Sequence, residues 1–231
     1  MEGVTGSRGW WIIAAGAVAL YWVLAILLRV APENVVDRVV FDWVSGWDVP
    51  LLDGPSERIS WFTDLVPRLV LAFVGVAGIA LAGRWRLAAA TALAAAIMVI
   101  PIDAIDLVGG IVADRIRPNG APFLAYPSGH TLGTIVQYGF GIYLVLRLGL
   151  HRRLLLPLVA LLALPIVLVG PARVLVGVHW PTDVLGAYLL GLASVIALIL
   201  LLEIGEGWLA RRELFGDSLR PSLAPSATAS R

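Results

Sequence analysis

Two of the three histidines in this 231-residue chain stand in short segments close to arginines. Pro127-Ser128-Gly129-His130 is the first such segment. The second runs from Arg173 to Asp183, with His179 six residues after Arg173 and four before Asp183. A third piece, Asp114-Arg115-Ile116-Arg117-Pro118, lies just ahead of the first. Together these residue types suit a phosphate. A phosphate monoester is a dianion, so its transfer needs cations and aligned donors around the equatorial oxygens. Arg117 and Arg173 offer guanidinium forks that bind such oxygens bidentately. Ser128 can add a hydroxyl, and Gly129 a backbone N–H that lets the chain approach closely. The four-residue spacing puts His179 and Asp183 on one face of a helix. Pro181 suits the first turn of that helix, whose positive end favours an anion.

The elements that position these residues are membrane spans. With 59% hydrophobic and 14% charged residues, the chain has too much apolar surface for water and takes the bilayer as solvent. Apolar segments fall at residues 9–28, 66–83, 87–109, 131–149, 154–171 and 184–204, each near the roughly 20 residues that cross a bilayer. The first is too long for a signal-peptide core and is expected to be a retained span. The expectation is one all-α, polytopic membrane domain, a six-transmembrane-helix bundle over residues 1–205. Residues 206–231 form a cytoplasmic tail whose Pro, Ser and Thr content leaves it disordered.

All 17 basic residues are arginine, and their placement orients the bundle. Arg8, Arg84, Arg86, Arg147, Arg152, Arg153, Arg211, Arg212 and Arg220 mark one side as cytoplasmic. The loops carrying the polar segments then face outward, in a multi-pass protein of the cell membrane. In the first outer loop Val35, Val36, Val39, Val40, Trp43 and Val44 trace one apolar face of a short helix on the membrane surface, with Trp43, Trp47 and Trp61 as interfacial anchors. Gly75 and Gly78, Gly139 and Gly141, and Gly186 and Gly191 are expected to let helices approach closely. Asp103 and Asp106 share a face near the outer end of the third span, where lone charges are costly, and are expected to pair with Arg115, Arg117 or Arg173. His151, in a cytoplasmic turn, takes no part. A net charge of +1 gives no reason to expect a nucleic-acid partner, and the absence of cysteine excludes thiolate chemistry.

The three ordered motifs resemble those of the type 2 phosphatidic acid phosphatase superfamily, which also holds bacterial acid phosphatases and vanadium haloperoxidases. Its pattern is Lys, six residues, Arg-Pro; then Pro-Ser-Gly-His; then Ser-Arg, five residues, His, three residues, Asp. Arg117-Pro118, Pro127 to His130, and Arg173, His179 and Asp183 fall on it, while Gly110 replaces the lysine and Ala172 the first serine. The resemblance implies that His179 attacks phosphorus and that Asp183 keeps its other ring nitrogen protonated. His130 protonates the leaving oxygen and then activates water. Arg117, Arg173, Ser128 and Gly129 bind the phosphate, and Arg115 is expected to replace part of the cation missing at Gly110. No metal or other cofactor is implied. The substrate implied is a lipid phosphate or pyrophosphate: an isoprenyl pyrophosphate, phosphatidic acid or phosphatidylglycerol phosphate. No obligatory protein partner is inferred. Transfer to an acceptor other than water, or a lipid-binding or transport role without turnover, are the alternatives.

Overall fold

The computed structural model describes residues 7–32, 34–46 and 64–218. Trp47, Trp61 and residues 219–231 of the expected tail lie outside these. Among the described residues seven helices follow in order: α1 (Ser7–Val30), α2 (Val35–Ser45), α3 (Leu65–Leu81), α4 (Trp85–Ala113), α5 (Gly129–Arg147), α6 (Arg152–Leu175) and α7 (Pro181–Ser218). The fold is all-α, with one isolated bridge between Ile116 and Leu124.

Each expected apolar segment coincides with one of the six longer helices, α1 and α3 to α7, with 66–83 and 131–149 running two residues past the ends of α3 and α5. Four of these, α1, α4, α6 and α7, are long and apolar enough to cross a membrane. The other two fall short by that measure. The apolar part of α3 is only Val66–Leu81, and α5 interleaves His130, Thr131, Thr134 and Gln137 with its apolar residues because it carries part of the polar segment described above. α7 continues as helix to Ser218, past residue 206 where a disordered tail was expected to begin. Around the bundle α4 and α6 keep most of their apolar side chains outward, including Ile100, Leu107, Leu154 and Leu161. In water such a surface would be prohibitive; against lipid it costs nothing.

α1 packs along α7, and α5 lies between α6 and α7. Below the polar loops, Tyr21, Leu28, Ala113, Tyr126, Leu132 and Leu190 form a buried cluster drawn from α1, α4, α5 and α7. The Tyr126 ring stacks on Tyr21 at 5.2 Å, and its hydroxyl donates to the Tyr21 carbonyl at 2.7 Å. At the other end Arg147 pairs with Glu206 at 2.7 Å and Arg84 donates to the Arg147 carbonyl. His151 caps α6 by accepting from the Arg153 N–H, a structural role only.

α2 is the expected surface helix, but its faces are divided unexpectedly. Val35, Val36, Val39 and Trp43 point outward, while Asp37 is wholly buried against the bundle. The apolar face is therefore left exposed, as a helix at a membrane interface would have it, and the acid faces the protein.

The glycines divide into two kinds. A methyl group at Gly191 would come within 2.7 Å of Ile135, and one at Gly139 within 3.0 Å of Val195, so these two bring α5 and α7 together. Gly75 and Gly78 do not serve a close helix contact as expected: nothing lies within 4 Å of a methyl group there, because both line a cavity. Gly191→Val should therefore lower stability by about 1–3 kcal/mol through overpacking, whereas Gly78→Val should leave the thermal unfolding midpoint in detergent nearly unchanged. Equal effects would contradict this division.

Candidate active site

The polar segments meet at one end of the bundle. The loop between α4 and α5 supplies Arg115 and Arg117, the first turn of α5 supplies Gly129 and His130, the last turn of α6 supplies Arg173, and the α6–α7 connection supplies His179. α5 starts with Ser128 as its N-cap residue, so the backbone N–H groups of its first turn point out of the helix end. Space in front of Gly129 is open. Ser128 itself is wholly buried; its N–H donates to the Asp183 carbonyl at 3.1 Å and its Oγ accepts from the Thr131 hydroxyl at 3.0 Å.

His179 is 1% exposed, and its Nδ1 lies 2.8 Å from the Ala125 carbonyl. A carbonyl can only accept, so Nδ1 carries the proton and Nε2 keeps its lone pair when the ring is neutral. The resemblance assigned this orienting task to Asp183, whose Oδ2 is 3.8 Å from Nδ1. Asp183 instead accepts from the Trp180 N–H at 2.8 Å and from Arg115 at 3.1 Å. The first of these is half of a capping box, with the third residue of α7 reaching back to the residue before its start. Asp183 thus acts on His179 mainly through charge and through the placement of α7. Burial lowers the His179 pKa from its usual value; Asp183 opposes this, and Arg173 and Arg117 reinforce it. The ring is therefore neutral, with its lone pair available, below the ordinary titration range of histidine.

His130 is half-buried, its Nε2 2.7 Å from Asp64 Oδ1 at the start of α3. Arg173 is buried in the last turn of α6. The Arg117 guanidinium lies 5.5 Å over the Phe123 ring, and its Nε is buried without a hydrogen-bond partner among the described residues. A buried donor of this kind is expensive unless a ligand oxygen meets it.

Arg115 is not placed beside Arg117 and Arg173 as a free cation, as was expected of it. It is 2% exposed and sits beneath the site. Its Nη2 donates to Asp37 at 2.5 Å, and its Nη1 donates to Thr182 Oγ1 at 2.7 Å and to Asp183 at 3.1 Å. The Trp180 ring covers the guanidinium at 5.1 Å. Asp37 also accepts from the Thr182 N–H at 2.8 Å, the Thr182 hydroxyl at 2.6 Å and Asn34 Nδ2 at 2.6 Å. Every bond from the outer nitrogens of Arg115 goes to the frame.

Nor is Gly110 a vacancy awaiting a lysine. A methyl group there would lie 2.9 Å from the Tyr126 carbonyl and 3.0 Å from Leu124 Cδ1. Asp103 and Asp106 also depart from expectation. They line a largely apolar cavity of about 780 Å³ between α3, α4 and α5, with Arg68 and Gly129 at its polar end. Two further residues, Asp37 and Asp64, were not singled out in the sequence. Each looks like one of several acids in an acidic loop, and only its distant partner distinguishes it.

This end of a helical membrane bundle therefore brings two histidines and two arginines together. The chain belongs to the PAP2 superfamily, whose model matches residues 85–204. It is similar to phosphatidylglycerophosphatase B of Bacillus subtilis (strain 168), at 35% identity over 88 residues, which are 34% of this chain and 42% of that protein. The match thus spans less than half of that relative. The fold is similar to the crystal structure of a transmembrane PAP2 type phosphatidylglycerolphosphate phosphatase from Bacillus subtilis, with a TM-score of 0.68 and 22% identity over 84% of this chain and 96% of that one.

Removing one member of a buried ion pair strands the other. Asp37→Ala should cost about 3–5 kcal/mol of stability, while the same change at exposed Asp42 should cost under about 0.5 kcal/mol. Unfolding of the two variants in one detergent checks this, and equal stabilities would show that the clamp bears no load.

Proposed function

We propose that the chain is an integral membrane lipid phosphatase working through a phosphohistidine. The observation that carries this reading is His179, whose Nε2 keeps its lone pair in a site with Arg117, Arg173 and His130, beside an apolar cavity that begins at Gly129. In the reaction His179 Nε2 forms a bond to phosphorus as the bond from phosphorus to the lipid oxygen breaks. His130 gives its proton to that oxygen, then takes one from the water that splits the phosphorus–nitrogen bond. Asp64 supports the protonated form of His130 between these steps. Arg117, Arg173 and the N-terminus of α5 stabilise the charge on the transferring group. The cavity accepts the lipid tail, so the head group can reach the histidines from the membrane. The similarity to phosphatidylglycerophosphatase B supports a substrate of the phosphatidylglycerol phosphate kind; isoprenyl pyrophosphate and phosphatidic acid share the same reacting group.

Inorganic phosphate released from a panel of these lipids in detergent tests the reading. His179→Ala should reduce steady-state release by roughly three or more orders of magnitude while the protein still purifies as a folded helical bundle. Near-normal release by that variant would overturn the mechanism.

We also infer that the site faces away from the cytoplasm, on the arginine asymmetry between the two ends. The chain has no cysteine, so single cysteines report cleanly. Ala121→Cys should react with an impermeant thiol reagent on intact cells, and Arg152→Cys should react only after lysis. The opposite pattern would reverse the orientation.

A further inference from the structure

One cation near the site has no task in the mechanism. Arg68 stands in the first turns of α3, and its guanidinium lies across α5 at Gly133, where an added methyl group would take the guanidinium's place. Its Nε makes a long 3.4 Å bond to the Asp64 carbonyl, and its own carbonyl accepts from Gln137 at 2.7 Å. The two outer nitrogens donate to nothing among the described residues. Arg68 lines the cavity together with Gly129, so it stands between the catalytic turn of α5 and the apolar interior. Its charge is also felt by His130.

A charge at the membrane boundary is costly unless it has a partner or a use. Asp64 and, less strongly, Asp103 interact with Arg68 electrostatically, but no ion pair within bonding distance joins either of them to it among the described residues. With Asp106, Asp103 lines the cavity from the middle of α4. These acids make the interior hostile to an anion, so any anion near Arg68 is held at the mouth.

We propose that Arg68 binds a second phosphate of the substrate, the one on the tail side of the phosphate being cleaved. This rests on the phosphatase reading and narrows its substrate class to lipids with two phosphate groups in series. Both a lipid diphosphate and a phosphodiester ending in a phosphate monoester have this shared chemistry. When the terminal phosphate lies on His179 and the tail in the cavity, the second phosphate falls where the chain enters the cavity mouth. A guanidinium fork with two uncommitted nitrogens can hold its oxygens bidentately. Lipids with a single phosphate place no anion there.

The test compares kcat/KM for an isoprenyl diphosphate and phosphatidylglycerol phosphate with that for an isoprenyl monophosphate and phosphatidic acid. Arg68→Gln should lower kcat/KM about 10- to 100-fold on at least one two-phosphate lipid, mainly through KM, and change the single-phosphate lipids less than about threefold. Arg68→Lys should retain part of the preference. Gly133→Ala, which keeps the charge but displaces the guanidinium, should reproduce the selective loss. The lipid suffering the greater loss identifies which second phosphate is read. An equal loss on all four lipids would make Arg68 a structural residue and overturn the proposal, as would no loss on any. If the wild-type protein releases phosphate from none of the four, the phosphatase reading itself fails; turnover that Arg68→Gln leaves unchanged removes only the role of Arg68.

Discussion

A single buried guanidinium holds the frame of the site together. Arg115 has a carboxylate on either side, Asp37 from α2 and Asp183 from α7, and all three are almost completely removed from solvent. Burying charge carries a large desolvation penalty, offset only when each donor and acceptor is met in good geometry. Asp37 comes close to that condition with four accepted hydrogen bonds. The cluster fixes the α4–α5 loop, the first turn of α7 and the surface helix relative to one another. The Ala125 carbonyl that orients His179 lies on that loop, and its own N–H donates to the Arg115 carbonyl at 2.9 Å. The His179 ring is therefore set by backbone which the clamp immobilises.

The three arginines of the motif region are chemically alike, yet the structure gives them opposite tasks. Arg115 directs both outer nitrogens at carboxylates and oxygens of the frame, whereas Arg117 makes no side-chain hydrogen bond to the frame among the described residues; the Nε of each is buried without a partner. The difference arises from two positions along an irregular loop, held by the bridge between Ile116 and Leu124. Residues two apart in such a turn look to different sides, one down into the bundle and one up toward the ligand. A cation facing a fixed acid is neutralised. One facing open space keeps its field for an incoming anion.

Much of this was legible in the chain. The apolar segments coincide with helices because membrane-length hydrophobicity has one local solution, a helix that satisfies its own backbone. The motif residues come together because their spacing places them on adjoining loops and helix ends. What the sequence could not show were the long-range pairings. Asp37 meets Arg115 across 78 residues, and Asp64 meets His130 across 66; nothing local separates these acids from Asp42 or Asp48. The part assigned to Arg115 was mistaken for the same reason, since a charge near a motif reads alike whether it faces the ligand or the frame. Gly110 was similarly opaque: its lack of a side chain reads as a lost cation until the Tyr126 carbonyl is seen against it.

The inverted faces of α2 bear on how the protein is made. Asp37 leaves the ribosome long before its partners: Arg115 follows 78 residues later and Thr182 145 residues later. Until then the helix has a carboxylate with no buried counterion, and its outward valines and Trp43 can already settle on the bilayer. The acid can meet all of its hydrogen-bond donors only once the last span has been made. Completion of the Asp37 cluster is thus a late step of chain synthesis, and a chain stalled before α7 would lack both Thr182 and Asp183 from it.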